Sequence, residues 1–238
     1  MLRNNRYRLK PNEIAVIQEM RKSEVRNILV IGDLHEPFCL DGYLEWCKEQ
    51  YILYNCNQVI FIGDILDNHA FSYHEPDPDG MSAGLELEKT IEKVAKWYKA
   101  FPKADVCIGN HDLMASRKAM TGGIPAAWIK SYNEVLKTPD WNWVDSVSYH
   151  NVLYEHYGQA QTKAKNNLMS SVCGHIHTEA YCRWFVGKRF RIFAMQVGCG
   201  VDCDTYAAAY AKNFKKQAIG CSVVLNNGTL PINLLMPL

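Results

Sequence analysis

The sequence predicts an α/β fold in which two β-sheets pack together with helices on the outside. Three observations carry this. The first half alternates strand-sized apolar runs with helical stretches, the second half is mostly strands, and three early runs end alike, on Gly-Asp or Gly-Asn. Those runs are NILVIGD (27–33), QVIFIGD (58–64) and ADVCIGN (104–110). A continuous apolar run of this length suits a strand covered on both faces. Before them, Pro11 fits a first helical position, and Ile14, Ile17 and Met20 recur on one face, so 11–26 reads as a short helix. Helices are expected over 41–54 and 84–101, with a polar loop, NHAFSYHEPDPDG (68–80), between the second run and the later helix. Two further helical stretches fall at roughly 113–120 and 125–137. WNWVDSVSYH, NVLYEHYG, LMSSVCGH, RFRIFAMQVG, AIGCSVVLN and TLPINLLM then read as successive strands, with one helix near 204–216. No low-complexity linker interrupts the chain, so 27–238 is expected to be a single domain and 1–26 a basic helical arm leading into it.

Composition narrows the function classes. At 238 residues with 48% hydrophobic side chains, the chain needs no disulfide or structural metal to fold. No apolar run approaches the roughly 18–20 residues that span a bilayer, and the N-terminus lacks a signal peptide's apolar core. A cytoplasmic location without membrane attachment is therefore expected. Charges nearly balance, 26 Lys+Arg against 25 Asp+Glu, which argues against a surface built as a whole to neutralise a phosphate backbone. Residues 1–26 are the exception, with 7 Lys/Arg against 3 Glu. Nine cysteines without a CxxC pair suit a reducing compartment, and Cys199 and Cys203 lack a second half for a zinc site.

The chemistry lies in where acids and histidines fall. Asp33 and His35 follow the first run, Asp64 and Asp67 the second, and Asn110, His111 and Asp112 the third; His156 ends a later strand, and His175 and His177 follow another. Residues just past the C-terminal ends of strands converge on one crevice in an α/β sheet. Taken singly, a strand-end Asp is an ordinary helix N-cap. Five such segments in one chain point to a shared metal centre. Mixed Asp, Asn and His donors suit Mn²⁺, Fe²⁺, Zn²⁺ or Ni²⁺ better than an all-oxygen calcium cage or a thiolate zinc site. The donors outnumber what one ion needs and match two ions roughly 3.5–4 Å apart sharing a carboxylate. His150, six residues before His156, competes for the fourth block, but the close following Gly158 makes His156 the better strand-to-loop position.

D-x-H (33–35), GD-x-x-D (63–67), GNHD (109–112), the strand-end His156 and GHIH (174–177), in this order, resemble the calcineurin-like metallophosphoesterase superfamily. The resemblance implies an αββα sandwich of two mixed β-sheets and two divalent ions, with Mn²⁺ the first choice. It implies that Asp33, His35 and His177 hold one ion, that Asn110, His156 and His175 hold the other, and that Asp64 bridges them. His111 would protonate the leaving group, oriented by Asp67. The implied reaction is hydrolysis of phosphomonoesters or phosphodiesters by in-line attack of a metal-bridging hydroxide. A nuclease acting on DNA or RNA is the alternative enzyme, and a catalytically silent interaction scaffold on the same fold is the alternative outside catalysis. The opening GDLHEPF is also similar to small phosphoesterases of tailed phages and bacteria.

The pattern departs from Ser/Thr protein phosphatases at two positions. Asn68 stands where they carry a phosphate-gripping Arg, and Asp112 where they usually carry Glu. Arg117, shortly after GNHD, is the candidate replacement for that grip. Phe71 and Tyr73 in the 68–80 loop, and Lys163 with Lys165 in 158–167, offer rings and cations for a small or nucleotide-like substrate. His69 and His74 read as solvated loop histidines. The oligomeric state is not specified by any of these features.

Overall fold

A computed structural model describes Pro11 and residues 25–73, 77–202, 204–205 and 216–237. The arm expected at 1–26, apart from Pro11, Val25 and Arg26, lies outside the described residues, as do His74, Cys203 and most of the helix expected near 204–216.

Among the described residues eleven strands form two sheets. The first, in the order β11-β10-β1-β2-β3-β4, contains β1 (Ile28–Ile31), β2 (Gln58–Phe61), β3 (Ala104–Cys107), β4 (Trp141–Val144), β10 (Gly220–Leu225) and β11 (Leu230–Leu235). β1 to β4 run parallel, and β10 and β11 are antiparallel additions beside β1. The second sheet, β5-β6-β7-β9-β8, contains β5 (Ser146–Tyr149), β6 (Val152–Glu155), β7 (Ser170–Cys173), β8 (Tyr181–Val186) and β9 (Arg191–Gln196). β6, β7 and β9 are parallel within it. Both sheets are mixed, as expected.

Strand alternation sorts the core into layers. Ile28, Val30, Ile60 and Ile62 point between the sheets, against Tyr154, Val172, Phe193 and Met195 of the second. Their neighbours Leu29, Ile31, Val59 and Phe61 point the other way, toward α1 (Tyr43–Leu53) and α2 (Ala83–Ala100). α2 starts at the Ser82 cap, whose hydroxyl accepts from Leu85 N–H, and buries Glu86, Thr90, Val94 and Trp97 along one stripe. On the far side of the second sheet, α5 (Ala160–Asn167) seats Ala160 and Ala164 on Cys173, Ile192 and Ala194. The layers are thus helix, sheet, sheet, helix.

Three expectations change. The run 141–150 is two strands in different sheets, broken at Asp145, where the apolar-polar alternation slips between Val144 and Ser146. The stretch 125–137 is a 3-10 turn, Ala126–Trp128, followed by a short helix, α4 (Tyr132–Leu136), because Pro125 and the Ser131 capping box each restart the backbone. The stretch 158–167 is largely α5 instead of a loop; with two buried alanines it shows too weak an apolar stripe to read from sequence. Helix α3 (Met114–Thr121) follows GNHD as expected.

Candidate metal centre

All five blocks sit at the C-terminal ends of parallel strands, so the stacked sheets bring them to one edge. Asp33, His35 and His177 place ligand atoms within 4.8 Å of one another, and so do Asp64, His156 and His175. Each group joins side chains following strands of the first sheet to side chains following strands of the second. Asn110 enters the second group, its Oδ1 3.0 Å from His156 Nε2. Asp64 adjoins both, with its Oδ2 3.1 Å from His156 Nε2 and 3.6 Å from His35 Nε2. His150 is exposed at the turn between β5 and β6, outside both groups.

The backbone here is unusual. His35, Asp64, Asn68 and His175 all have positive φ, between 49° and 70°. Non-glycine residues hold this conformation only where surrounding contacts fix it. Asp64 is fixed by its own carbonyl, which accepts from Leu34 and His35 N–H, and by its carboxylate, which accepts from His111 N–H at 2.8 Å. The glycines of the blocks make room for ligands. A Cβ at Gly109 would overlap the Asp64 carboxylate, and one at Gly174 would overlap Asp33 Oδ1.

A family model described as calcineurin-like phosphoesterase matches residues 26–196. The chain belongs to that family. Among solved structures it is similar to Vacuolar Protein Sorting 29 from Cryptosporidium parvum, at 13% identity and a TM-score of 0.45, covering 87% of this chain and 88% of that one. It is similar to the Pseudomonas putida nuclease MPE at 15% identity, TM-score 0.40, with 87% and 86% covered. It is similar to the E. coli phosphoesterase Yfce at 12% identity, TM-score 0.37, with 87% and 98% covered. No curated protein sequence matches the chain.

The family generally uses two divalent metals, and the donor set here fits them. Asp33 Oδ1 and His35 Nε2 are buried and have no hydrogen-bond partner. His35 Nδ1 is occupied by the Asp67 carboxylate at 2.5 Å, which leaves Nε2 as the nitrogen to coordinate. His156 donates Nδ1–H to the Ile62 carbonyl at 3.0 Å, turning its Nε2 toward the oxygens of Asp64 and Asn110. Electron pairs that converge in this way need a proton or a cation between them.

Without metal, protons take that place. For His35, burial works against the charged form, but the Asp67 hydrogen bond and the charges of Asp67, Asp64 and Asp33 outweigh it, raising the pKa to about 9. For His156, burial is again opposed and outweighed, by Asp64 and Asp33, with the same result of about 9. Burial alone would raise Asp64, yet the adjacent His156, His35 and His111 hold it well below the carboxylate range. His111 and His175 are lowered, first by burial and then by a neighbouring imidazolium, His35 and His156 respectively.

The expected Asp67–His111 pair takes a different form. His111 Nδ1 lies 2.5 Å from the Asp67 main-chain carbonyl, and the carboxylate stays 3.6 Å from that nitrogen. The carboxylate is instead on His35. The Asn68 side chain is turned inward, donating to the His111 carbonyl at 2.8 Å. His69 is buried, contrary to its solvated reading, because Glu86 accepts from the His69 and Ala70 N–H groups and draws the turn His69–Phe71 onto α2. Asp112 is also internal. Its carboxylate accepts from Leu66 and Gly109 N–H, tying the second block to the third, and burial raises its pKa to about 7.

The side chains expected at the rim fall into two sets. Exposed Tyr73 lies under Arg117 and Lys118, whose charged groups are 4.8 Å and 4.3 Å from the ring centroid, with half-buried Phe71 two residues earlier. Lys163 instead pairs with Glu155 at 2.9 Å. Sequence reasoning passed over Tyr157, whose half-exposed ring packs on His156 and His175 at 5.0 Å and 5.9 Å. Nothing but its place beside His156 marks it in the sequence. Among the described residues no helix is long and apolar enough to cross a membrane.

Proposed function

We propose that this protein hydrolyses phosphate esters, monoesters or diesters, at two divalent ions with Mn²⁺ preferred, and acts in the cytoplasm. The observation that supports it best is the pair of ligand groups meeting at Asp64, with His111 beside them. Asp33, His35 and His177 would hold one ion, and Asn110, His156 and His175 the other, with Asp64 between. When bound, the ions activate water and neutralise charge on the phosphoryl oxygens.

The chain supplies the rest. Its His111 ring, held through Nδ1 by the Asp67 carbonyl, keeps Nε2 for a proton and delivers it to the leaving oxygen. Burial and the charge of the neighbouring His35 hold its pKa down, so the ring carries that proton toward acidic pH. Asp67 holds His35 through its carboxylate, so one residue positions a metal ligand and the acid together. Asn68 fixes the His111 backbone in place of contacting phosphate. Arg117, with Lys118 and Tyr73, forms the cationic, aromatic rim that receives the remainder of a small or nucleotide-like substrate.

Reconstitution with Mn²⁺, Ni²⁺ or Zn²⁺ tests the reading, using a phosphomonoester and a bis-phosphodiester of one leaving group beside nucleotides and single-stranded DNA. Turnover that depends on metal and disappears in Asp64→Ala is expected. No hydrolysis of any of these with any of the three metals overturns it.

A further inference from the structure

The hairpin of β8 and β9 carries a surface that the metal centre does not use. Between Ala180 and Val201 the chain holds Arg183, Lys188, Arg189 and Arg191 and no acidic residue, in a protein whose charges otherwise balance. β8 is an edge strand, paired with β9 and leaving its other side open among the described residues. The register puts Trp184 and Val186 on one face with Arg191 and Phe193. Trp184 is 41% exposed and Phe190, at the turn, 45%. The Arg191 guanidinium lies 5.5 Å from the Trp184 ring centroid, and on the opposite face Arg183 and Lys165 flank Phe185 at 5.4 Å and 5.2 Å.

Rings interleaved with guanidinium groups match single-stranded nucleic acid, whose bases stack on the rings while its phosphates meet the cations. The hairpin is also joined to the metal centre. Tyr181, at the start of β8, pairs with Gln196, whose side-chain amide donates to the Gly174 carbonyl just before His175. From there the six residues of β8 lead about 20 Å outward.

We propose that the β8–β9 hairpin binds single-stranded nucleic acid running from the metal centre. The choice of ligand rests on the phosphoesterase reading, so binding is measured apart from catalysis. An acidic peptide added to the open edge of β8 is the competing occupant. The exposed rings, and a phosphoester site at the foot of the strand, favour nucleic acid.

The test is fluorescence anisotropy of the full chain in chelator with labelled oligothymidine of about fifteen nucleotides, within the usual range of single-strand site sizes. Trp184→Ala should weaken binding at least about fivefold. The double variant Lys188→Glu/Arg189→Glu should weaken it at least about tenfold and flatten its dependence on salt, by roughly 0.7 for each phosphate no longer neutralised. Trp184 also packs on Phe193, with ring centroids 5.4 Å apart, so the double variant, both of whose positions are exposed, decides the matter if Trp184→Ala misfolds. Absence of binding, unchanged affinity in natively folded variants, or tighter binding of a polyglutamate peptide overturns the proposal. Oligonucleotide binding without hydrolysis of any ester would leave the hairpin standing and remove the phosphoesterase reading. Hydrolysis of small esters without oligonucleotide binding would do the reverse.

Discussion

The Asp67 carboxylate lies 2.5 Å from Nδ1 of His35, while the carbonyl of the same residue lies 2.5 Å from Nδ1 of His111. One residue therefore orients two imidazoles through chemically different oxygens. Asp67→Asn keeps the carbonyl and an acceptor on the side chain but removes the charge facing His35. We expect metal affinity to fall about 10–100-fold, the usual effect of altering a group that orients a ligand. At saturating metal most of the turnover should return. A metal titration followed by rates at saturation separates this from a direct role in proton transfer, which would lower the saturated rate.

His111→Ala should bind metal normally and slow hydrolysis of esters with poor leaving groups about 10²–10⁴-fold, the range for a lost general acid. Esters with good leaving groups need little protonation and should be affected far less. Rates across a leaving-group series test this, and an equal loss for every ester would refute the acid role.

Metal binding should depend on pH in a defined direction. Without metal, His35 and His156 keep their protons up to about pH 9, well above the ordinary imidazole value. Coordination requires the neutral ring, so at pH 7 binding must expel about two protons. Affinity should climb with pH and level off above about 9. Calorimetry in buffers of different ionisation heat counts the protons, and heats independent of buffer would contradict the assignment.

Gly109→Ala should be far worse than its size suggests. The added methyl enters the space of the Asp64 carboxylate, and overpacking of this kind costs about 1–3 kcal/mol. The larger effect should be on metal occupancy, read by metal analysis of the purified variant. A full metal complement in the Gly109→Ala variant would show that Asp64 has room to move.

Trp97→Phe tests the support behind the site. The indole N–H donates to Glu36 Oε1 at 2.8 Å, and Glu36 is buried with Lys93 Nζ 4.0 Å from its other oxygen. Leaving the first oxygen without its donor should cost about 1–3 kcal/mol, seen as a lowered Tm with substrate selectivity unchanged.

Much of this is legible in the sequence. β1 and β2 announce themselves as buried apolar runs stopped by a glycine, β3 repeats the ending despite Asp105, and the residues past those glycines are the ones the structure brings together. What stays hidden depends on relations across the fold. Asp67 sits at the spacing of a His111 partner, but only folding shows its carboxylate turned to His35. Lys163 looks available until α5 brings it to Glu155. β4 and β5 are separated by Asp145 alone, and although the alternation slips there, a slip by itself does not declare a change of sheet. β8 does not stand out because Arg183 interrupts its apolar residues and both of its faces carry mixed chemistry.

Each ligand group takes donors from both sheets, and those sheets otherwise meet mainly through an apolar layer of Ile28, Val30, Tyr154 and Phe193, crossed by hydrogen bonds such as Asn233 to the Gln196 carbonyl and Tyr149 to Asp105. A bound cation would act as a rivet across that greasy seam. Oily contact tolerates a small slide between layers, whereas coordination tolerates almost none, so the ion would fix the relative position of the two halves of the sandwich. Metal would then behave as a structural fastener, and slippage at the seam, even from a substitution at its far end, would be felt first as a loosened grip on the ion.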